Sequence, residues 1–302
     1  MKAMVCTQYG SPDVLELREV AKPAPKAKEL LVRIHAAAVT SGDIRVRTFN
    51  SPLLMWIPMR LVLGLTRPRN PILGVELAGV VEAVGKEVTR FKPGDRVFAL
   101  TGMRFGGYAE YTCLREDSRV ALQPDNVTHE DAAAILFGGT TALHFFRKGN
   151  LRSGHKVLIY GASGAVGTSA VQLAKHFGAE VTAVCSAAGA ELVKSLGAER
   201  WIDYTREDFT ERPERYDIIF DAVGKLPKSK SLRALAPGGS YLTVDGQGIA
   251  KERQEDVLLL KELTEQGRIR AVIDRRYTLK DIPEAHRYVE SRRKKGNVIV
   301  TI

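Results

Sequence analysis

Tyr160-Gly161-Ala162-Ser163-Gly164-Ala165-Val166-Gly167 joins residue types and spacing that together do recognisable chemistry. A short apolar run, Lys156 to Tyr160, precedes it. Residues 165 to 177 follow with apolar side chains at helical spacing, and Gly178 supplies the stop. A glycine turn between a strand and a helix start is the arrangement that receives a pyrophosphate. Gly164 lets the backbone approach the phosphates, Gly167 lets the helix pack on the strand, and N–H groups at the helix start face the anion. Ser163, Gly164, Ala165, Val166 and Gly167 are therefore expected to bind a dinucleotide cofactor, although Ala162 stands where the first glycine of the usual pattern would be. A glycine turn with no ligand is the alternative, and its place within a series of strand–helix units argues against it.

The choice of dinucleotide is expected about twenty residues on, at the end of the second strand, where an acid binds the ribose 2′-hydroxyl of NAD. Ala183-Val184-Cys185-Ser186-Ala187-Ala188-Gly189 has no acid before Glu191, so nothing there repels a 2′-phosphate and NADPH is the expected cofactor. Other chemistries find less support. Cys6, Cys113 and Cys185 are widely spaced, with no CxxC pair, which suits inert thiols better than a disulfide framework or a cysteine zinc lobe. The six histidines are scattered, with no nucleophile at triad spacing.

The elements that must position the glycine loop follow from the pattern around it. Strands are expected at 180–185, 200–203, 216–221 and 240–244, with helices at 190–196 and 228–235, which makes a doubly wound parallel sheet over 125–271. Residues 1–124 read as β-rich, and 272–302 return to mixed character and end in a strand, Val298 to Ile302. Two domains also suit 302 residues, more than one core usually organises. Apolar residues at 44% and charged residues at 26% are ordinary for a globular protein. The net charge of +10 comes from scattered residues, with Arg292-Arg293-Lys294-Lys295 the one run. No nucleic-acid motif accompanies it, so help in binding a phosphorylated ligand is expected and nucleic acid is not. Leu53 to Leu65 is the longest apolar stretch. Pro58 and Arg60 interrupt it and it is too short to span a bilayer, so no membrane span and a cytoplasmic location are expected. That stretch either walls a cleft for hydrophobic substrates or packs between domains or dimer partners; attachment to a membrane surface is a third use.

With these features in order, the chain resembles the medium-chain dehydrogenase/reductase superfamily, in its zinc-free quinone oxidoreductase-like branch. The resemblance rests on Pro71-Ile72-Leu73-Gly74-Val75-Glu76-Leu77-Ala78-Gly79, Gly94-Asp95-Arg96-Val97, Gly106-Gly107-Tyr108-Ala109-Glu110-Tyr111, the Gly161–Gly167 loop and Ser195-Leu196-Gly197-Ala198, over essentially the whole length. It implies an α/β fold: a GroES-like β-rich catalytic domain at 1–124 and 272–302, a Rossmann NADP-binding domain at 125–271, and an active site in the cleft between them. It also implies Ser186, Tyr204 and Arg292 around the adenosine 2′-phosphate, with Val223 and Val244 near the ribose and nicotinamide. Relatives often carry a basic side chain just after the second strand, and Ala187-Ala188-Gly189 does not.

Zinc-dependent members place a Cys, a His-Glu pair and another Cys where this chain has Thr40, Val75-Glu76 and Phe137. One zinc ligand type, Glu76, survives where tetrahedral zinc needs three protein ligands, so no metal is expected. The activity implied is hydride transfer from NADPH to a quinone or an α,β-unsaturated carbonyl, a small hydrophobic substrate, in a homodimer. Thr40 and Thr141 are the candidate hydroxyl donors to the developing oxyanion, the alternative being hydroxyls satisfied by nearby backbone. A non-catalytic NADP-binding sensor or scaffold is a second reading. An enoyl-thioester reductase is a third, and it would want a tyrosine acid soon after Asp43, where residues 44 to 55 hold none.

Overall fold

The computed structural model describes residues 1–49 and 56–302, and the chain divides into two compact units, Met1–Leu136 with Ile273–Ile302, and Phe137–Val272. The first unit therefore runs past the change in pattern near residue 125.

It opens with the antiparallel pair β1 (Lys2–Cys6) and β2 (Leu15–Glu19). There follow β3 (Glu29–Ala38), α1 (Ser41–Thr48), α2 (Trp56–Leu63), β4 (Glu76–Val84), β5 (Arg96–Leu100), β6 (Tyr111–Arg115), β7 (Arg119–Leu122) and the short α3 (His129–Ala132). Leu30, Val32 and Ile34 of β3 meet Leu77, Val81, Val97, Leu114 and Val120 in one buried cluster. That period-two burial is what a sheet face turned to a core requires.

The second unit holds α4 (Leu136–Lys148, after its first residue), β8 (Lys156–Tyr160), α5 (Ala165–His176), β9 (Glu180–Cys185), α6 (Ala190–Ser195), β10 (Arg200–Asp203), β11 (Tyr216–Asp221), α7 (Lys228–Leu232), β12 (Leu235–Thr243) and α8 (Gln254–Glu265). Its strands form a parallel sheet in the order β10-β9-β8-β11-β12. Val157, Leu158 and Ile159 are all fully buried, as are Ile218, Ile219 and Phe220, the continuous apolar runs expected of strands covered on both faces. The chain steps outward from β8 to β10, then returns to the other side of β8 as β11. The β8/β11 junction is thus the switch point, where ligands of such sheets bind. β12 begins earlier than the expected residue 240. Its first part pairs only through Leu235 opposite Tyr216, and after a register shift the ladder resumes at Ser240 opposite Ile218. Pro237, which has no N–H, and Gly238 at φ 77° account for that break.

The first unit is completed by β13 (Ile273–Thr278), α9 (Ile282–Glu290) and β14 (Asn297–Thr301), which close a seven-stranded sheet in the order β13-β14-β3-β4-β5-β7, with β6 also on β3. Of the apolar stretch 53–65, residues 53–55 lie outside the described residues; α2 contains 56–63. Among the described residues no helix is long and apolar enough to cross a membrane.

Candidate functional site

In the second unit every expected cofactor residue stands at the carboxyl edge of the parallel sheet. Asp203 lies opposite Cys185, Val184 opposite Tyr160, Tyr160 opposite Asp221, and Asp221 opposite Thr243. The loops leaving these strands carry, in spatial order, Tyr204, Ser186, the Ser163–Gly167 turn, Val223 and Val244. The glycines divide the work of the turn. Gly161, at φ 77°, takes the left-handed conformation open to glycine, and its N–H donates to Val184 O at 2.9 Å. A Cβ on Gly167 would lie 2.2 Å from Gly161 O, so α5 sits against the turn as closely as backbones allow. Gly164 is different: it caps α5 at φ −79°, and a Cβ there would meet only Gly161 O, at 3.5 Å. The space in front of the helix start is open, and the first-turn N–H groups of Ala165, Val166 and Gly167 have no acceptor within the helix. These residues fit a pyrophosphate.

The β9 loop packs on this turn, since a Cβ on Gly189 would press on Ser163 Cβ at 2.7 Å. Ser186 is half-buried, and Tyr204, whose ring centroid is 6.0 Å from that of Tyr160, is 52% exposed. Glu191 points into solvent and pairs with Lys194 at 3.0 Å. Two residues that shape this edge were missed from the sequence. Buried Asp221 accepts N–H groups of Val223 (3.1 Å), Gly224 (2.9 Å) and Leu226 (2.8 Å) and the Thr243 hydroxyl (3.2 Å), which fixes the loop carrying Val223. Burial pushes its carboxyl pKa up, opposed by those donors. The signal was present in Asp221-Ala222-Val223-Gly224, an Asx-turn sequence at a strand end. Asp203, at the end of β10, is held below the usual carboxylate range by Thr205, whose hydroxyl donates at 2.7 Å and backbone N–H at 3.0 Å, and it also receives the Ala187 N–H. Arg206 stands beside it, 3.8 Å away and largely exposed, so a cation serves this edge from β10 where the β9 loop has none.

In the first unit, Thr40 caps α1. Its hydroxyl donates to Asp43 Oδ2 at 2.7 Å, and the Asp43 N–H returns to Thr40 Oγ1 at 3.3 Å. Asp43 Oδ1 accepts the Gly74 N–H at 3.0 Å, and burial drives its carboxyl pKa up against these bonds. The Thr40 proton is therefore committed to Asp43, which favours a capping role over donation to a substrate. Thr141 is buried within α4 of the second unit. Glu76 is buried at the start of β4 and accepts the Leu136 N–H, while burial pushes the nearby Lys294 ammonium down to about 8 against the pull of Asp274 and Glu76. Arg292 is exposed just after α9, at φ 59°. Burial raises the Cys6 and Cys113 thiols to about 11, which makes them poor nucleophiles. Among the described residues no three His, Cys, Asp or Glu side chains gather as a metal-binding group.

A β-rich unit, together with a unit built on a parallel sheet with an open glycine turn at its switch point, defines a dinucleotide-dependent oxidoreductase of two-unit architecture. Residues 26–125 match the alcohol dehydrogenase GroES-like domain family, and residues 165–289 match the zinc-binding dehydrogenase family. The chain is 34% identical to 2-methylene-furan-3-one reductase of Solanum lycopersicum, over 99% of this chain and 79% of that one. It is 32% identical to the chloroplastic NADPH-dependent alkenal/one oxidoreductase of Arabidopsis thaliana, with the same coverage. The solved quinone oxidoreductase of Coxiella burnetii superposes with a TM-score of 0.87 at 26% identity, covering 100% of this chain and 99% of that one. The chain belongs to the medium-chain dehydrogenase/reductase superfamily, in its quinone oxidoreductase-like branch, and it is an oxidoreductase.

Proposed function

We propose that this oxidoreductase uses NADPH to reduce quinones or α,β-unsaturated carbonyls without a metal. The observation that carries the proposal is the carboxyl edge of the parallel sheet, where an open glycine turn is followed by a β9 end with no exposed acid before Glu191. NADPH supplies a hydride when bound. The N–H groups of Ala165, Val166 and Gly167 bind the pyrophosphate, with Ser163 and Gly164 shaping its seat. Ser186, Tyr204 and Arg206 serve the 2′-phosphate end, and Val223 and Val244 border the ribose and nicotinamide. Arg292 enters through the family resemblance alone. A conjugated oxygen spreads the charge that hydride addition creates, so hydrogen-bond donors suffice where an alkoxide would want a Lewis acid. Thr141 is the candidate donor; Thr40 positions Asp43 and α1. The proposed setting is a cytoplasmic homodimer.

The test is NADPH consumption by purified protein on a panel of quinones and enones, with saturated ketones as controls. Turnover confined to conjugated acceptors is expected. Tight NADPH binding with no turnover on any acceptor would favour the sensor or scaffold reading instead.

A further inference from the structure

A surface helix normally turns its charges to water and its apolar side chains to the core. α2 does the reverse. Its one charged residue, Arg60, faces inward, with the guanidinium carbon 3.9 Å from the Phe49 ring centroid, 4.6 Å from that of Tyr9 and 4.8 Å from that of Trp56. Ile57, Leu61 and Val62 face outward at 66%, 58% and 59% exposure, and Leu65 beyond the helix is at 68%. The chain then folds back on the helix end: the Arg69 N–H donates to Leu63 O at 2.7 Å and the Tyr9 hydroxyl to Gly64 O at 3.0 Å. That return brings the backbone of Arg67 and Arg69, both exposed, against the end of the helix. No Asp or Glu occurs between Asp43 and Glu76, a span that contains five arginines.

We propose that α2 and the turn after it dock the protein on an anionic phospholipid surface. Leu61, Val62, Ile57 and Leu65 enter the acyl boundary, Trp56 sits at the headgroup level, and Arg67 and Arg69 meet lipid phosphates. Charge decides for this occupant. In a two-fold pair the same segment of a second copy brings no acid to meet these arginines, whereas lipid phosphates do. A small quinone is too small to cover side chains spread over two helical turns and the following loop. The docking is independent of the substrate proposed above, although it would bring the enzyme to quinones dissolved in a bilayer.

Flotation of the full-length protein with phosphatidylcholine vesicles, with and without phosphatidylglycerol, tests the proposal. Binding to the anionic vesicles, weakened by salt, is expected. It should come with a blue shift of tryptophan emission that disappears in Trp56→Phe, because the other tryptophan, Trp201, is tied to Cys185 O at 3.3 Å on another unit. Leu61→Ser with Val62→Ser should weaken binding by roughly tenfold or more, given the apolar area withdrawn. Arg67→Gln with Arg69→Gln should weaken it by a similar factor, at about 1 kcal/mol per cation. These side chains project outward, so the melting temperature serves as the control on folding. Failure to bind anionic vesicles overturns the proposal. So does binding that neither pair of substitutions weakens, or a dimer in sedimentation that Leu61→Ser and Val62→Ser dissociate.

Discussion

Gly164 and Gly167 are three residues apart and ask opposite things of a substitution. At Gly164 the backbone is ordinary and a Cβ meets nothing closer than 3.5 Å, so the fold tolerates Gly164→Val while the pyrophosphate loses its seat. NADPH affinity should fall by about 100-fold or more, about 2.7 kcal/mol, at a nearly unchanged melting temperature. Unchanged affinity in a folded Gly164→Val protein would put the phosphates elsewhere. Gly167→Ala instead forces a Cβ to 2.2 Å from Gly161 O and should cost stability on the order of 1–3 kcal/mol, read as a lower melting temperature even without cofactor. Both glycines stood out in the sequence, because glycine spacing between a strand and a helix has few other uses. Arg206 could not. It is one of 45 basic residues, and only the pairing of β10 with β9 brings it to the edge where Ser186 leaves the sheet. If it contacts the 2′-phosphate, a charge-assisted bond of about 1.5–3 kcal/mol is at stake. Arg206→Ala should then weaken NADPH roughly 10- to 150-fold in titration and leave NADH nearly unchanged. Equal small losses for both cofactors would mark it as an ordinary surface cation.

Among the elements, four strands of the parallel sheet, β8 to β11, were legible at their bounds, and α5 and α6 were marked by the stops at Gly178 and Gly197, whereas α4 and α8 were not read from the sequence. Nor was α1, since Ser41–Thr48 buries Asp43 and Arg47 rather than an apolar stripe, and hydrophobic periodicity is blind to that. What holds α1 is polar. The fully buried Arg47 reaches α9, donating through Nε to His286 Nδ1 at 3.1 Å, and it also binds Gly10 O and Glu290. Other titratable groups also face this clasp: Tyr108, whose ring lies 5.7 Å from that of His286 and whose phenol burial and Asp43 push up against the pull of Arg47; Cys6, whose pKa Arg47 pulls downward against burial; and Glu290, paired with Arg47. Burial first, and Arg47 second, depress His286 from 6.5 to about 3. Its folded pKa thus lies below the unfolded one, so the unfolded chain takes up a proton that the fold refuses. The stability this costs is absent above pH 6.5 and accumulates as pH falls toward 3, at about 1.4 kcal/mol per pH unit. Denaturation by urea across that window should show His286→Gln, whose amide oxygen can still accept from Arg47, losing stability less steeply than the parent. Parallel slopes would mean that His286 is not the group responsible.

For the whole molecule, the change from β-rich to alternating pattern announced two units, but the compact division falls at Leu136 rather than near 125. The reason is that α3 and the residues after it are bonded to the first unit: Asn297 donates to Ala134 O at 2.9 Å, and Leu136 donates to Glu76. Chemistry at this scale turns on metal. One of the two matching families is described as zinc-binding, over residues 165–289. By the family resemblance, the ligands of zinc-dependent members would fall outside that match, at Thr40, Val75, Glu76 and Phe137. Two of these are hydrocarbon, the Thr40 hydroxyl is engaged with Asp43, and the Glu76 carboxylate receives a backbone N–H and lies within the field of Lys294. The three cysteines lie on β1, β6 and β9, too scattered to form a separate lobe. A tetrahedral site needs several N, S or O ligands at about 2.0–2.3 Å, and this set does not supply them. Elemental analysis should therefore find no stoichiometric zinc, and NADPH-dependent turnover should survive dialysis against a strong chelator. The melting temperature gives a second, activity-free check. A zinc ion bound at a hundredfold its Kd would stabilise the fold by about 2.7 kcal/mol, so added zinc should leave the transition where it is. One tightly held zinc per chain, with turnover and stability lost together on its removal, would mean that ligands come from residues that the family correspondence does not identify.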